Sequence, residues 1–236
     1  MARRVREVER DEAGNITTAS FMNVCEGNQP IFRILFSGTL TQAVGSQLLA
    51  SNRDGVAQVR KDAAEVGDAA STVIGLVRHQ LSKLGPELCG KPGERNATKS
   101  CAIHLAPLRC AVELTALRCS PLNPAHHHLR ILWLNRELVF ISMVLRLMAS
   151  GLESGDAGYQ AYEVVIKRYH PWVVQKVVGA AVGHVPTIQE ILVQLKIPSK
   201  EEGFRQVELF CDLTEALSAE ISALLEKEGA NFQGQA

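Results

Sequence analysis

The sequence has no excess of charge of either sign: Lys and Arg together number 25, and so do Asp and Glu. A protein that grips nucleic acid through bulk electrostatics needs a basic surplus to neutralise phosphates, so nucleic acid is not an expected partner. Brief contact with a membrane surface is still allowed. The N-terminal "MARRVREVERDEAG" lacks the apolar core of a secretory signal, which makes the cytosol the expected compartment. No apolar run suits a bilayer span. The most hydrophobic one, residues 131–148, is interrupted by Asn135, Arg136, Glu137 and Arg146, and reads as a buried helix. The six cysteines never form a Cys-x-x-Cys pair, so reduced thiols are expected rather than a zinc or redox site.

Catalytic signatures are missing as well. There is no His-Glu-x-x-His pair, no glycine-rich nucleotide loop and no Ser-His-Asp context. A zinc hydrolase reading starts only from His126, His127 and His128 with His104, His170 or His184. Consecutive loop histidines seldom converge on one ion, so neither a metal, a cofactor nor an enzymatic activity is expected.

Strand signals are nearly absent, whereas helical spacing is plentiful. Val207, Phe210, Cys211, Thr214, Leu217, Ile221 and Leu224 recur at three- and four-residue steps, with Glu208, Asp212, Glu215, Glu220 and Glu226 largely on the other side. Capping boxes at Ser199–Glu202 and Thr187–Glu190 each follow a proline and predict helix starts. Ser20 is the expected cap of a helix opening at Phe21. Residues 85–128 hold four of the cysteines, several prolines and no clean periodicity, and read as an insertion with one short helical piece over 108–117. The expected organisation is an N-terminal extension over 1–20, one domain over 21–228 carrying that insertion, and a disordered tail over 229–236.

Two stretches carry chemistry. In "YHPWVVQK", Pro171 disfavours helix at His170 and suits the first turn of a new helix, which holds His170 at a junction. A neutral imidazole there donates from one nitrogen and accepts at the other; the plain alternative is a histidine that satisfies backbone groups at a kink. In "HLRILWLNRELVFISMVLRLM", Trp133 sits near the N-terminal end of an apolar stripe. Its indole is either a core group or a flat platform with one donor, suited to a sugar ring.

Taken together, "LWLNRELVF", "AYEVVIKRYHPWVVQK" and the small-residue tract before Pro186 resemble the glycolipid transfer protein family. The likeness is strong over residues 129–195 and weaker over 21–84, and the 85–128 stretch lies outside it. It implies an all-α fold, a two-layer sandwich of about eight helices enclosing a ceramide's chains in an apolar cavity. It also implies intermembrane transfer or sensing of a sphingolipid, either a glycosylceramide or ceramide-1-phosphate, with transient membrane contact. Trp133 then matches the platform, His170 the histidine that holds the ceramide amide, and Trp172 the residue that touches the bilayer. The family pattern for phosphorylated ceramide places arginines at the platform and one turn before it. Here those positions are Trp133 and Leu129, the sugar-type pattern. The family's D-x3-N-x2-K motif aligns in one of two ways. A gapped register gives Asp54, Gln58 and Lys61; an ungapped one gives Gln47 and Ser51 and removes the charge. The alternative to a carrier is a helical scaffold that kept the fold and lost the headgroup site.

Overall fold

The computed structural model describes residues 2–38, 42–84 and 129–231. The expected insertion, with its four cysteines, the 108–117 piece, His104 and the three consecutive histidines, lies outside the described residues, as does the tail beyond 231. The described chain is all-α: α1 (Ala2–Arg6), α2 (Thr18–Gly27), α3 (Gln29–Leu35), α4 (Gln42–Val66), α5 (Val73–Leu84), α6 (Leu129–Ala149), α7 (Ser154–Val165), α8 (Trp172–Val182), α9 (Ile188–Gln194) and α10 (Lys200–Lys227). The number exceeds eight because the short α1, α3 and α9 count separately.

Local chemistry sets the boundaries. The α9 capping box is complete, Thr187 and Glu190 satisfying each other's backbone N–H groups. At α10 only half of the box forms. Ser199 accepts from the Glu202 N–H, while the Glu202 carboxylate is taken by Arg205 and Gln206. The start of α2 corrects the expectation for Ser20. Thr17 is the cap and accepts from the Ser20 N–H, while the Ser20 hydroxyl turns back to the carbonyls of Glu9 and Thr17.

The spine of the fold is α6. It packs against α10, α7 and α4, while α2, α3 and α5 gather on α4. Ile131, Leu134, Leu138, Ile141, Val144 and Leu145 are all buried, as expected of a buried helix. Arg146 bridges from α6 to Asp212 and Glu215 on α10, and the buried Asn135 donates to the Ser218 carbonyl and the Ser222 hydroxyl. Two of the polar residues that interrupt the 131–148 run, Asn135 and Arg146, therefore pin α6 to α10. No helix among the described residues is long and apolar enough to cross a membrane. On α10 the buried stripe follows the expected register, except that Leu225 replaces Leu224 in the core.

The helices that present His170 come together through glycine. A Cβ on Gly158 of α7 would stand 2.2 Å from the Val182 carbonyl oxygen at the end of α8. Gly158→Ala gains about 1 kcal/mol of helix propensity but forces α7 and α8 apart. Overpacking costs about 1–3 kcal/mol or more, so net destabilisation is expected, read as a lower denaturant midpoint.

Candidate functional site

After α7 ends, Lys167–Tyr169 form a single 3-10 turn, and His170 is extended (φ −90°, ψ 139°), the conformation proline imposes on its predecessor. Pro171 caps α8 from outside rather than sitting in its first turn, one residue earlier than the sequence suggested. The Gln175 amide braces the junction, donating to the carbonyls of Lys167 (3.0 Å) and His170 (2.8 Å). The His170 ring meets the buried Tyr162, whose hydroxyl lies 3.0 Å from Nδ1. Burial pushes the Tyr162 phenol up to about 12 and holds the His170 imidazole down to about 4, so both are neutral at physiological pH. With the phenol as donor, His170 Nε2 carries the ring proton and can offer it to a carbonyl; with the opposite tautomer Nε2 accepts.

Trp133, half-buried on α6, stacks on this imidazole, with ring centroids 5.5 Å apart and planes 14° from parallel. It also meets Tyr169 edge-on at 6.3 Å. The Arg136 guanidinium lies 3.4 Å from the centre of the Tyr169 ring and 5.5 Å from that of Trp133, and Arg168 covers Tyr169 at 4.6 Å. The indole and the imidazole, 37 residues apart in the chain, thus form one aromatic floor flanked by cations.

The α4 candidates fare differently. Asp54 is exposed, and its carbonyl accepts from Arg130 of α6 at 3.3 Å, three residues before Trp133. Gln58 donates to Asp62 (2.7 Å), which also accepts from Gln80 of α5 (3.1 Å), and the exposed Lys61 faces Glu65 at 3.8 Å. In the ungapped register, Gln47 is half-buried and Ser51 exposed. At 100° per residue these five share the side of α4 opposite the buried Asn52, Val56 and Val59.

Asn52 is the residue that neither register selected. It is 2% exposed, accepts from Gln29 Nε2 (3.1 Å), and donates to Glu137 Oε2 at 2.7 Å. Glu137 follows Trp133 by four residues, on the same face of α6. Burial pushes its carboxyl up to about 7, against the opposing pull of the Asn52 hydrogen bond. The i,i+4 spacing from Trp133 was the one signal in the sequence that could have found it.

Beyond the junction the surface turns apolar. Trp172 is 71% exposed, with Val173 beside it at 53%. An open cleft of about 440 Å³ runs between α7 and α8, lined by Tyr159, Tyr162, Lys167, Gln175 and Lys176. Phe21, Ile31, Leu35, Val59, Leu76, Ile131 and Ile141 have essentially no accessible surface, so they border no void that water could enter. At these positions side chains fill the space between the layers.

The sequence model of the glycolipid transfer protein family matches residues 16–196. The fold is similar to that of FAPP2, solved to show how it selects simple glycosphingolipids (TM-score 0.68, 18% identity, covering 98% of this chain and 95% of that one). It is equally similar to the fungal glycolipid transfer protein HET-C2 (0.68, 18%, 97% and 95%). Human ceramide-1-phosphate transfer protein bound to 12:0 ceramide-1-phosphate matches at 0.68 with 14% identity, covering 98% and 96%.

Proposed function

This chain belongs to the glycolipid transfer protein family, and from that premise we propose that it carries one sphingolipid at a time between membranes, without altering it chemically. The observation that carries this reading is the Trp133–His170 stack, backed by Tyr162. The indole supplies an apolar face for a sugar ring, and the imidazole, fixed by the phenol, supplies a directed hydrogen bond for the ceramide amide. Asp54, whose backbone carbonyl accepts from Arg130 one α6 turn before Trp133, is the acidic candidate nearest to the platform in sequence register, and its exposed carboxylate is proposed as an acceptor for sugar hydroxyls. Trp172 and Val173 form the apolar edge that meets the bilayer, since an exposed indole prefers the interface. The working compartment is the cytosol, with transient visits to membranes.

The energetics require a core that opens. Each methylene taken from lipid into water costs ~0.8 kcal/mol, so a chain of about a dozen needs ~10 kcal/mol of replacement apolar contact. Phe21, Ile31, Leu35, Ile131 and Ile141 fill the space between the layers. The ceramide chains must therefore part the two layers and replace side-chain contacts with contacts to lipid. Headgroup hydrogen bonds then decide which lipid pays for that opening, because chains alone discriminate poorly.

A second reading, a scaffold without headgroup binding, is favoured by one observation: Gln58 and Lys61 turn their polar ends to carboxylates of α4. Vesicle-to-vesicle transfer separates the two. Labelled glucosylceramide is expected to leave donor vesicles at a rate proportional to protein concentration, while labelled phosphatidylcholine stays behind. Labelled glucosylceramide and ceramide-1-phosphate that both remain in the donors would establish the scaffold.

A further inference from the structure

We propose that Glu137, held by Asn52, is the gatekeeper of headgroup charge, admitting neutral ceramide headgroups to the Trp133 platform and turning away phosphorylated ones. The inference rests on the lipid-carrier reading and assigns it a specificity residue. Three observations support it. Glu137 lies one helical turn from Trp133 on the same face of α6, towards α4 and Asn52, a spacing of ~5–6 Å along the helix between the platform and the acid. The carboxyl is fixed rather than free, since the buried Asn52 donates to Oε2 at 2.7 Å and is itself held by Gln29 at 3.1 Å. A carboxylate has about four acceptor positions, and Asn52 uses one. Capacity is left for a ligand hydroxyl or amide N–H.

A group placed like this distinguishes ligands by sign. A sugar hydroxyl or an amide N–H donates to a carboxylate, whereas a phosphate offers no donor when fully ionised and repels it. At about 6 Å and the effective dielectric of a protein surface, that repulsion corresponds to ~100-fold in affinity, less where solvent intrudes. The neighbouring guanidiniums of Arg136 and Arg168 work the other way, but both are stacked on Tyr169. Changing Glu137 alone therefore gives an effect of unambiguous direction. The raised carboxyl affinity for protons marks a charge held in a poorly solvated place, where an unlike partner is welcomed and a like one is costly.

The test compares transfer of glucosylceramide and ceramide-1-phosphate from vesicles at pH 8, where the carboxyl is ionised. Wild type is expected to move glucosylceramide and to move ceramide-1-phosphate at least ~10-fold more slowly. Glu137→Gln keeps size and a hydrogen bond to Asn52 while removing the charge, and should raise the phosphorylated-to-neutral ratio ~10-fold or more. Glu137→Asp keeps the charge and should hold the ratio near wild type, which a purely structural role would not require. An unchanged ratio in Glu137→Gln, or a wild type that prefers the phosphorylated lipid, overturns the proposal while leaving the carrier intact. A wild type that moves neither lipid overturns both.

Discussion

Trp133→Ala will abolish glycosylceramide transfer, by on the order of 100-fold or more, in a chain that remains folded. The expectation follows from where the indole sits. It is half-buried at the edge of the core, and its ring partners, His170 and the buried Tyr169, belong to the α7–α8 junction. A tryptophan packed inside, like Ile131 or Leu134 on the same helix, would cost ~3–5 kcal/mol of stability on truncation. Removing one member of a half-buried aromatic pair costs less, since the pair itself contributes ~0.5–1.5 kcal/mol beyond its area. The loss in binding is larger. The stacking face disappears, and the imidazole that should meet the ceramide amide loses the surface holding its plane. Trp133→Phe keeps an apolar face and should retain part of the activity. The measurements are initial transfer rates and a urea denaturation curve for each variant. A folded alanine variant that still transfers at the wild-type rate would remove the platform from the site.

Much of this arrangement is legible in the sequence, and the reason differs from residue to residue. The register of α10 followed from spacing alone, because a helix with one buried face must repeat its apolar residues at that period. The extended His170 followed from Pro171, a steric consequence confined to adjacent residues. That Trp133 and His170 meet did not follow from spacing; two readings of each residue stood open, and the family likeness weighted the choice. The Asn52–Glu137 contact was hidden because it is a crossing of two helices 85 residues apart. In one dimension, Glu137 is only a charge that interrupts an apolar run. Gln58 shows the converse: its position in a motif suggests a ligand, and in the fold its amide donates to Asp62, one turn away on the same helix. The cap of α2 shifted from Ser20 to Thr17 for a similar reason, since two hydroxyl residues compete for one helix start and the sequence does not rank them.

The stability of this chain should fall towards both acid and alkali, through two residues of one site. Glu137 has a carboxyl raised from 4.5 to about 7 in the fold. Its raised value means that the folded state binds a proton the unfolded state has already released. That contribution is complete below about pH 4.5 and is lost as pH rises through about 7. His170 is depressed from 6.5 to about 4, so the unfolded state takes up a proton the folded state refuses. Its contribution is complete above about pH 6.5 and is lost as pH falls towards 4. Each change is equivalent to ~3.5 kcal/mol if fully expressed, and ~1–3 kcal/mol is expected because both side chains are only partly shielded. Urea titrations from pH 4.5 to 8 should therefore show Glu137→Gln drawing level with wild type at the acid end and exceeding it by ~1–3 kcal/mol at pH 8. His170→Asn should show the reverse dependence, gaining on wild type as pH falls. A difference between Glu137→Gln and wild type that does not vary with pH would mean that the carboxyl is solvated. If the variation appears, the ionised Glu137 lowers stability at the pH where the protein works, and a residue that costs stability while sitting one turn from the lipid platform is accounted for by what it does to the lipid.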